Sequence, residues 1–179
     1  MIILVQVILH HACNNDSEKK AGKSTILVNQ SNVDEGARNF MKLASESGVM
    51  EVEFSRIAKQ KSRSRAVKEF ADMMIADHTR IYNDLKKLAT DKRILLPIEM
   101  DKSQTGQLNK LKELNGAKFD QAYMRMMVRS HQNAINTYQE GANNRDRDVN
   151  QFALKRITLL ESHLNSARSI FNKVVLNRQ

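Results

Sequence analysis

The sequence predicts an all-α protein, a bundle of four long helices that run up, down, down, up, with a long crossover between the second and the third. Two observations lead there. Six Gly and one Pro among 179 residues are roughly a third of the usual share of about 12 per cent, too few turn formers for a sandwich, a barrel or a many-stranded sheet. Apolar residues also recur at helical spacing through four long segments, separated by two short breaks and one long one. The length suits one domain that buries its core without covalent staples.

The first helix opens at Asn32, with Glu35 three residues on as the reciprocal carboxylate of a cap. It runs to about Lys61 and sets Phe40, Leu43, Ser47, Met50, Phe54, Ile57 and Ala58 on one face. Ser62 or Ser64 caps the second helix, whose apolar face carries Val67, Phe70, Ala71, Met74, Ile81, Tyr82, Leu85 and Leu88. A connector from Lys92 to Gly116 follows, holding a short helix from Ser103 to Leu114 that Asn115-Gly116 stops.

The third long helix runs from Ala117 to about Gly141, with Tyr123, Met124, Met127, Ala134 and Tyr138 on one face. After a turn of Asn143, Asn144, Arg145 and Asp146, the fourth runs from about Asp148 to Leu176 and offers Val149, Ala153, Leu160, Leu164, Ala167, Phe171 and Val174. Helices of about 25 to 29 residues are about 40 Å long. The two short connections make their helices antiparallel neighbours, and a connector of about 25 residues runs the length of such a bundle, which sets the second and third helices parallel. That is the crossover topology of ferritin-like folds.

Ahead of the bundle, residues 1–13 and 14–31 read as a leader and a polar tether, leaving 32–176 for the helical domain. Residues 1–9 are an apolar run too short for a bilayer, which needs about 20 residues, and closer to the apolar part of a signal peptide. Ala12, Cys13 and then Asn14, Asn15, Asp16, Ser17, Glu18, Lys19 and Lys20 complete a pattern that resembles a bacterial lipoprotein signal, with Cys13 as the lipidated residue. His10 and the lack of a basic residue before the run depart from it. A start placed too far downstream accounts for the second departure, not the first. A cleaved secretory signal and an ordinary N-terminus are the other readings. The expected partner is a membrane, held through an N-terminal lipid anchor.

Cys13 is the one cysteine, which excludes an internal disulfide framework and any cysteine-based zinc site. A net charge of +9 favours acidic surfaces in general. The densest basic stretch, Lys59, Lys61, Arg63, Arg65 and Lys68, falls at a helix turn and reads as a solvated corner. Without Trp, and with six Phe and three Tyr, the chain has little on which to stack bases, and no specific nucleic-acid partner is expected.

The second and third helices echo one another at an offset of 53, Met73-Met74-Ile75-Ala76-Asp77-His78 against Met126-Met127-Val128-Arg129-Ser130-His131. Each His follows a Met by four residues and lies near the centre of its core face. In parallel helices His78 and His131 come level, Glu51 stands at similar height on the flank of the first helix, and His163 is a more distant candidate on the fourth. The functional reading is a metal site of two imidazoles and a carboxylate, completed by His163 or by the thioethers of Met74 and Met127. Imidazole with carboxylate suits zinc or iron, and His with Met suits copper(I). The plain alternative is neutral, hydrogen-bonded core histidines with Met as gap fillers. A di-iron oxidase centre is disfavoured, since no Glu has His three residues after it. No glycine-rich phosphate loop, nucleophile elbow or His-Glu-x-x-His motif is present.

Several segments in order carry a resemblance: Gly48-Val49-Met50-Glu51-Val52-Glu53-Phe54, Val67-Lys68-Glu69-Phe70-Ala71-Asp72-Met73-Met74, Asp77-His78, Leu96-Pro97, Gly116-Ala117-Lys118-Phe119-Asp120-Gln121-Ala122-Tyr123-Met124 and Leu160-Glu161-Ser162-His163-Leu164. From Val33 to Val174 the chain resembles the bacterial domain-of-unknown-function family 4142, whose members are often labelled outer-membrane or periplasmic proteins and are grouped with ferritin-like bundles. The resemblance implies that fold and an envelope location, and no established activity. Where Asp-His tends to recur in that family, Ser130 precedes His131 here. The Met-Met-Ile-x-x-His rhythm is also similar to Met-rich and His-rich bundle proteins linked to copper, though Asp77 and Ser130 stand where those carry a first His.

The expectation is therefore a non-enzymatic, lipid-tethered envelope protein of the periplasm or outer membrane, serving metal handling or stress protection. The competing expectation is a metal-dependent redox enzyme using Glu51, His78, His131 and His163, and a third is an anion-binding module at the Lys59 to Lys68 corner.

Overall fold

The computed structural model describes residues 34–176. The leader with Cys13, the tether and the proposed Asn32 cap lie outside the described residues. Within them all regular structure is helical: α1 (Glu35–Lys61), α2 (Arg65–Asp91), α3 (Lys102–Glu113), α4 (Gly116–Gly141) and α5 (Arg147–Leu176). The first helix starts later than the sequence suggests. Asp34 is its N-cap, the Asp34 carbonyl accepts from the Arg38 N–H, and Ala37 is the first buried side chain. Of the two serines before α2, Ser64 is the cap and accepts from the Val67 N–H, while Ser62 accepts from Ser64 and stays in the turn. Asp101 and Gln104 form a reciprocal capping box on α3. Gly116, with φ +55°, supplies the left-handed backbone that starts α4 directly after α3.

The chain direction follows from contacts at the two ends. At one end, Asn144 of the α4–α5 turn donates to Asp34 before α1, and Lys92 after α2 pairs with Asp146 at 2.6 Å. At the other, Gln121 early in α4 donates to the carbonyl of Val174 late in α5, and the Lys61 ammonium donates to the Lys112 carbonyl at the end of α3. So α2 and α4 run parallel, and residues 92–115 cross the full length between them. The crossover lies along α1, where Ser45 donates to the Pro97 carbonyl at 2.7 Å and Gln104 to that of Glu46. Each long helix packs on two others, α1 on α2 and α4, and α5 on α4 and α2.

The interior divides into two apolar clusters. One gathers Phe40, Met41, Ile81, Leu85, Tyr138, Phe152 and Leu160, and the other gathers Phe54, Phe70, Met74, Phe119, Tyr123, Met124 and Met127. Every long helix contributes to both clusters, and near the boundary between them it places one buried ionisable residue: Glu51, His78, His131 and His163.

Candidate metal centre

The four residues form a layer across the bundle, one from each long helix, with exposures of 0% for Glu51, 3% for His78, 0% for His131 and 1% for His163. Burying such groups costs several kcal/mol unless each finds a partner. The three imidazoles stand as an equilateral triangle, with every pair of ring centroids 5.4 Å apart. One ring nitrogen from each lies within 4.8 Å of the others.

Each imidazole also sets one nitrogen beside an oxygen acceptor. His78 Nδ1 stands 3.0 Å from Glu51 Oε2, His131 Nδ1 is 2.9 Å from the Met127 carbonyl oxygen and 3.4 Å from Glu51 Oε1, and His163 Nε2 is 3.0 Å from Asp77 Oδ2. Carbonyl and carboxylate oxygens only accept, so His131 Nδ1 and His163 Nε2 carry the proton and donate, and the neighbouring Glu51 carboxylate favours the proton on His78 Nδ1. That leaves His78 Nε2, His131 Nε2 and His163 Nδ1. Five buried side-chain polar atoms among the described residues have no aligned hydrogen-bond partner; three are these nitrogens and a fourth is Glu51 Oε2. Glu51 Oε2 faces His78 closely but off the line of a straight hydrogen bond. Glu51 Oε1 accepts from the Ser130 hydroxyl at 2.6 Å.

The electrostatics are those of one buried negative charge among imidazoles. Burial alone would raise the Glu51 carboxyl, but His78 and His131, with the Ser130 hydrogen bond, outweigh it and hold the pKa down to about 2. Burial would lower His78, and the Glu51 and Asp77 carboxylates overcome it, so His78 is raised. His131 is lowered, chiefly by burial. His163 is lowered to about 4 by burial and by the charge of the other two histidines.

All four polar candidates from the sequence thus meet in one layer, and His163, read there as distant, is a full member. Glu51 faces Nδ1 of His78 and of His131. Met74 and Met127 are fully buried in the apolar cluster beside the layer, and Met127 serves it through its backbone carbonyl. Two participants went unassigned. Asp77 adjoins His78 in sequence yet holds His163, and Ser130 adjoins His131 yet holds Glu51. Both occupy the position before a His in the repeat, which was the available signal.

No helix among the described residues is long and apolar enough to cross a membrane. No curated protein and no solved structure matches the chain. Residues 23–170 match the family described as Domain of unknown function (DUF4142), and the chain belongs to that family.

Proposed function

We propose that the chain is a metal-binding protein of ferritin-like bundle architecture, in which His78 Nε2, His131 Nε2 and His163 Nδ1 hold one divalent transition-metal ion. The observation that carries this reading is a buried histidine triad in which one ring nitrogen of each imidazole lies within 4.8 Å of the others and one nitrogen of each has no hydrogen-bond partner. In a core of plain hydrogen-bonded histidines those nitrogens would have partners. Their opposite nitrogens show the support usual for metal-binding histidines, a carboxylate or backbone carbonyl that fixes tautomer and ring orientation. Glu51 then acts as an orienting acceptor and source of negative charge, with Met74 and Met127 outside the coordination sphere. Three imidazoles suit zinc or copper better than iron, whose open sites favour two His and a carboxylate.

Elemental analysis of the chain, purified without affinity tag or chelator, tests this. One equivalent of metal is expected, lost in the His78→Ala, His131→Ala double variant. Protein that stays metal-free after incubation with zinc(II) and copper(II) would reject the site. The envelope location belongs to the same proposal and rests on the lipoprotein-like leader: Cys13→Ser should release the protein from sedimenting membranes.

A second reading, a metal-dependent redox enzyme, is favoured by one feature. Three protein ligands leave a fourth position on a tetrahedral ion for water or substrate. The identity of the metal decides between them, since zinc carries no redox chemistry; copper or iron, with peroxide or superoxide turnover lost in His78→Ala, would establish the enzyme.

A further inference from the structure

The polar layer comes to the surface at two ends, and the ends differ. On the α2–α5 side its last group is Asp77, whose Oδ2 is taken by His163 and whose Oδ1 lies 3.7 Å from the Arg80 guanidinium. A cation approaching there meets a fixed positive charge over a carboxylate already in use. On the α1–α4 side the last group is Ser130, half-buried, which donates to Glu51 Oε1. Ser130 also lines a groove of about 410 Å³ between α1, α4 and the crossover helix α3. One hydroxyl therefore separates a fully buried carboxylate from open space. Along the groove, Ser47, Gln104, Gln107 and Asn133 offer neutral polar groups, and Arg129 and Glu46, which pairs with Lys42 at 3.8 Å, bring one charge of each sign.

We infer that this groove is the path by which a hydrated divalent cation reaches the histidines, and that Ser130 is its gate. The inference rests on the metal-site reading above. A net charge of +9 makes the chain as a whole repel cations. Glu51 is the buried negative charge that the groove approaches, and the Ser130 hydroxyl is what covers it from that side. Rotation of a half-buried hydroxyl is a fast, local motion. It frees Glu51 Oε1 to draw the ion inward, exchanging water for carboxylate oxygen at the edge of the His78 and His131 rings. The hydroxyl afterwards returns to Glu51, and the ion stays with the three nitrogens.

Rates of cobalt(II) uptake by the metal-free full chain, read by stopped-flow absorption beside the final stoichiometry, test the path. Asn133→Trp fills the groove from an exposed rim position and should load about tenfold more slowly, as expected when binding waits on a conformational step, with the same final stoichiometry. Arg80→Ala, at the other end of the layer, should load as the wild type does. Ser130→Ala should load faster and Ser130→Thr, which keeps the hydroxyl, at the wild-type rate. Loading of Asn133→Trp at the wild-type rate, or faster loading of Arg80→Ala, would overturn the path while leaving the metal centre standing. A wild type that takes up no cobalt would overturn the centre and the path together.

Discussion

Oε2 of Glu51 on α1 stands 3.0 Å from Nδ1 of His78 on α2, at a level of the bundle where water reaches neither carboxylate nor imidazole to any extent. The carboxylate also faces His131 Nδ1 at 3.4 Å and takes the Ser130 hydroxyl, so one acceptor gathers groups from two helices, α2 and α4. Glu51→Gln keeps the volume and removes the charge, and its amide turns an N–H toward groups that are themselves donors. The metal-free protein should lose about 3 kcal/mol or more, the usual result of breaking a buried pair from one side. Metal affinity should fall about 10- to 100-fold through the lost support of the imidazoles. Urea unfolding and competition with a chromophoric chelator measure the two separately. Unchanged affinity would remove Glu51 from the site.

A buried polar layer is a poor way to stabilise a bundle, and that gives a sharper test of why it is there. Replacing Glu51 by Met and all three histidines by Leu joins the apolar clusters above and below into one core. Apolar replacements of buried ionic groups are often neutral or stabilising by about 1–4 kcal/mol. Asp77, which keeps Arg80, and Ser130 are half-buried and can turn to water. The fourfold variant should unfold at higher urea than the metal-free wild type and bind no zinc. A large loss of stability instead would show that the layer exists to hold the fold.

Much of this was legible in the sequence because helical phase and chain length constrain it. The 53-residue offset sets His78 and His131 at equal register only if α2 and α4 are parallel, and the long connector made them so. The height of Glu51 followed from the short α1–α2 turn. Phase does not say where a side chain's polar atoms point, and the Glu51 oxygens face Nδ1 of His78 and of His131. Nor does it reveal partners across helices. Asp77 adjoins His78 in sequence and serves His163, 86 residues away. Ser130 looked like a missing carboxylate, and is the hydroxyl donor that an Asp in its place would turn into a second negative charge facing Glu51. The start of α1 was missed because Asn32 and Asp34 are equally good caps by composition, and the choice falls to where packing begins, at Ala37.

The pH dependence of the metal-free protein follows from the same layer. His163 has a folded-state pKa lowered from 6.5 to about 4. Between those values the unfolded chain binds a proton that the folded one refuses, so stability falls as the pH drops through that window, by a few kcal/mol at most. His131, also lowered, acts in the same direction. His78 is raised, so its contribution is fully present below 6.5 and is lost only as the pH rises through its folded-state value. Glu51 adds a further loss below 4.5, extending to about 2. Urea midpoints should therefore decline from neutral pH toward pH 4, and decline less in His163→Phe. An identical slope in that variant would contradict the assignment of His163 as a buried neutral imidazole.

Packing far from the layer separates fold from site. Gly141 closes α4 against the Phe40 ring, and a Cβ there would lie 2.5 Å from two of its ring carbons. The ring has little freedom to yield, because Tyr138 meets it edge-on at a centroid distance of 5.2 Å and Phe152 at 6.2 Å. Helix propensity alone favours Ala over Gly by up to about 1 kcal/mol, but overpacking of this kind costs about 1–3 kcal/mol, and the clash should win. Gly141→Ala should lower the melting temperature by a few degrees. Since Phe40 packs in the apolar cluster at the far end from Met127 and Tyr123, the effect should add independently to those of the layer, and the stoichiometry of cobalt binding should stay at one. A Gly141→Ala protein that loses both stability and metal would mean that the end of the bundle and the histidine layer are coupled, and that the layer's geometry is set by the packing of the whole domain.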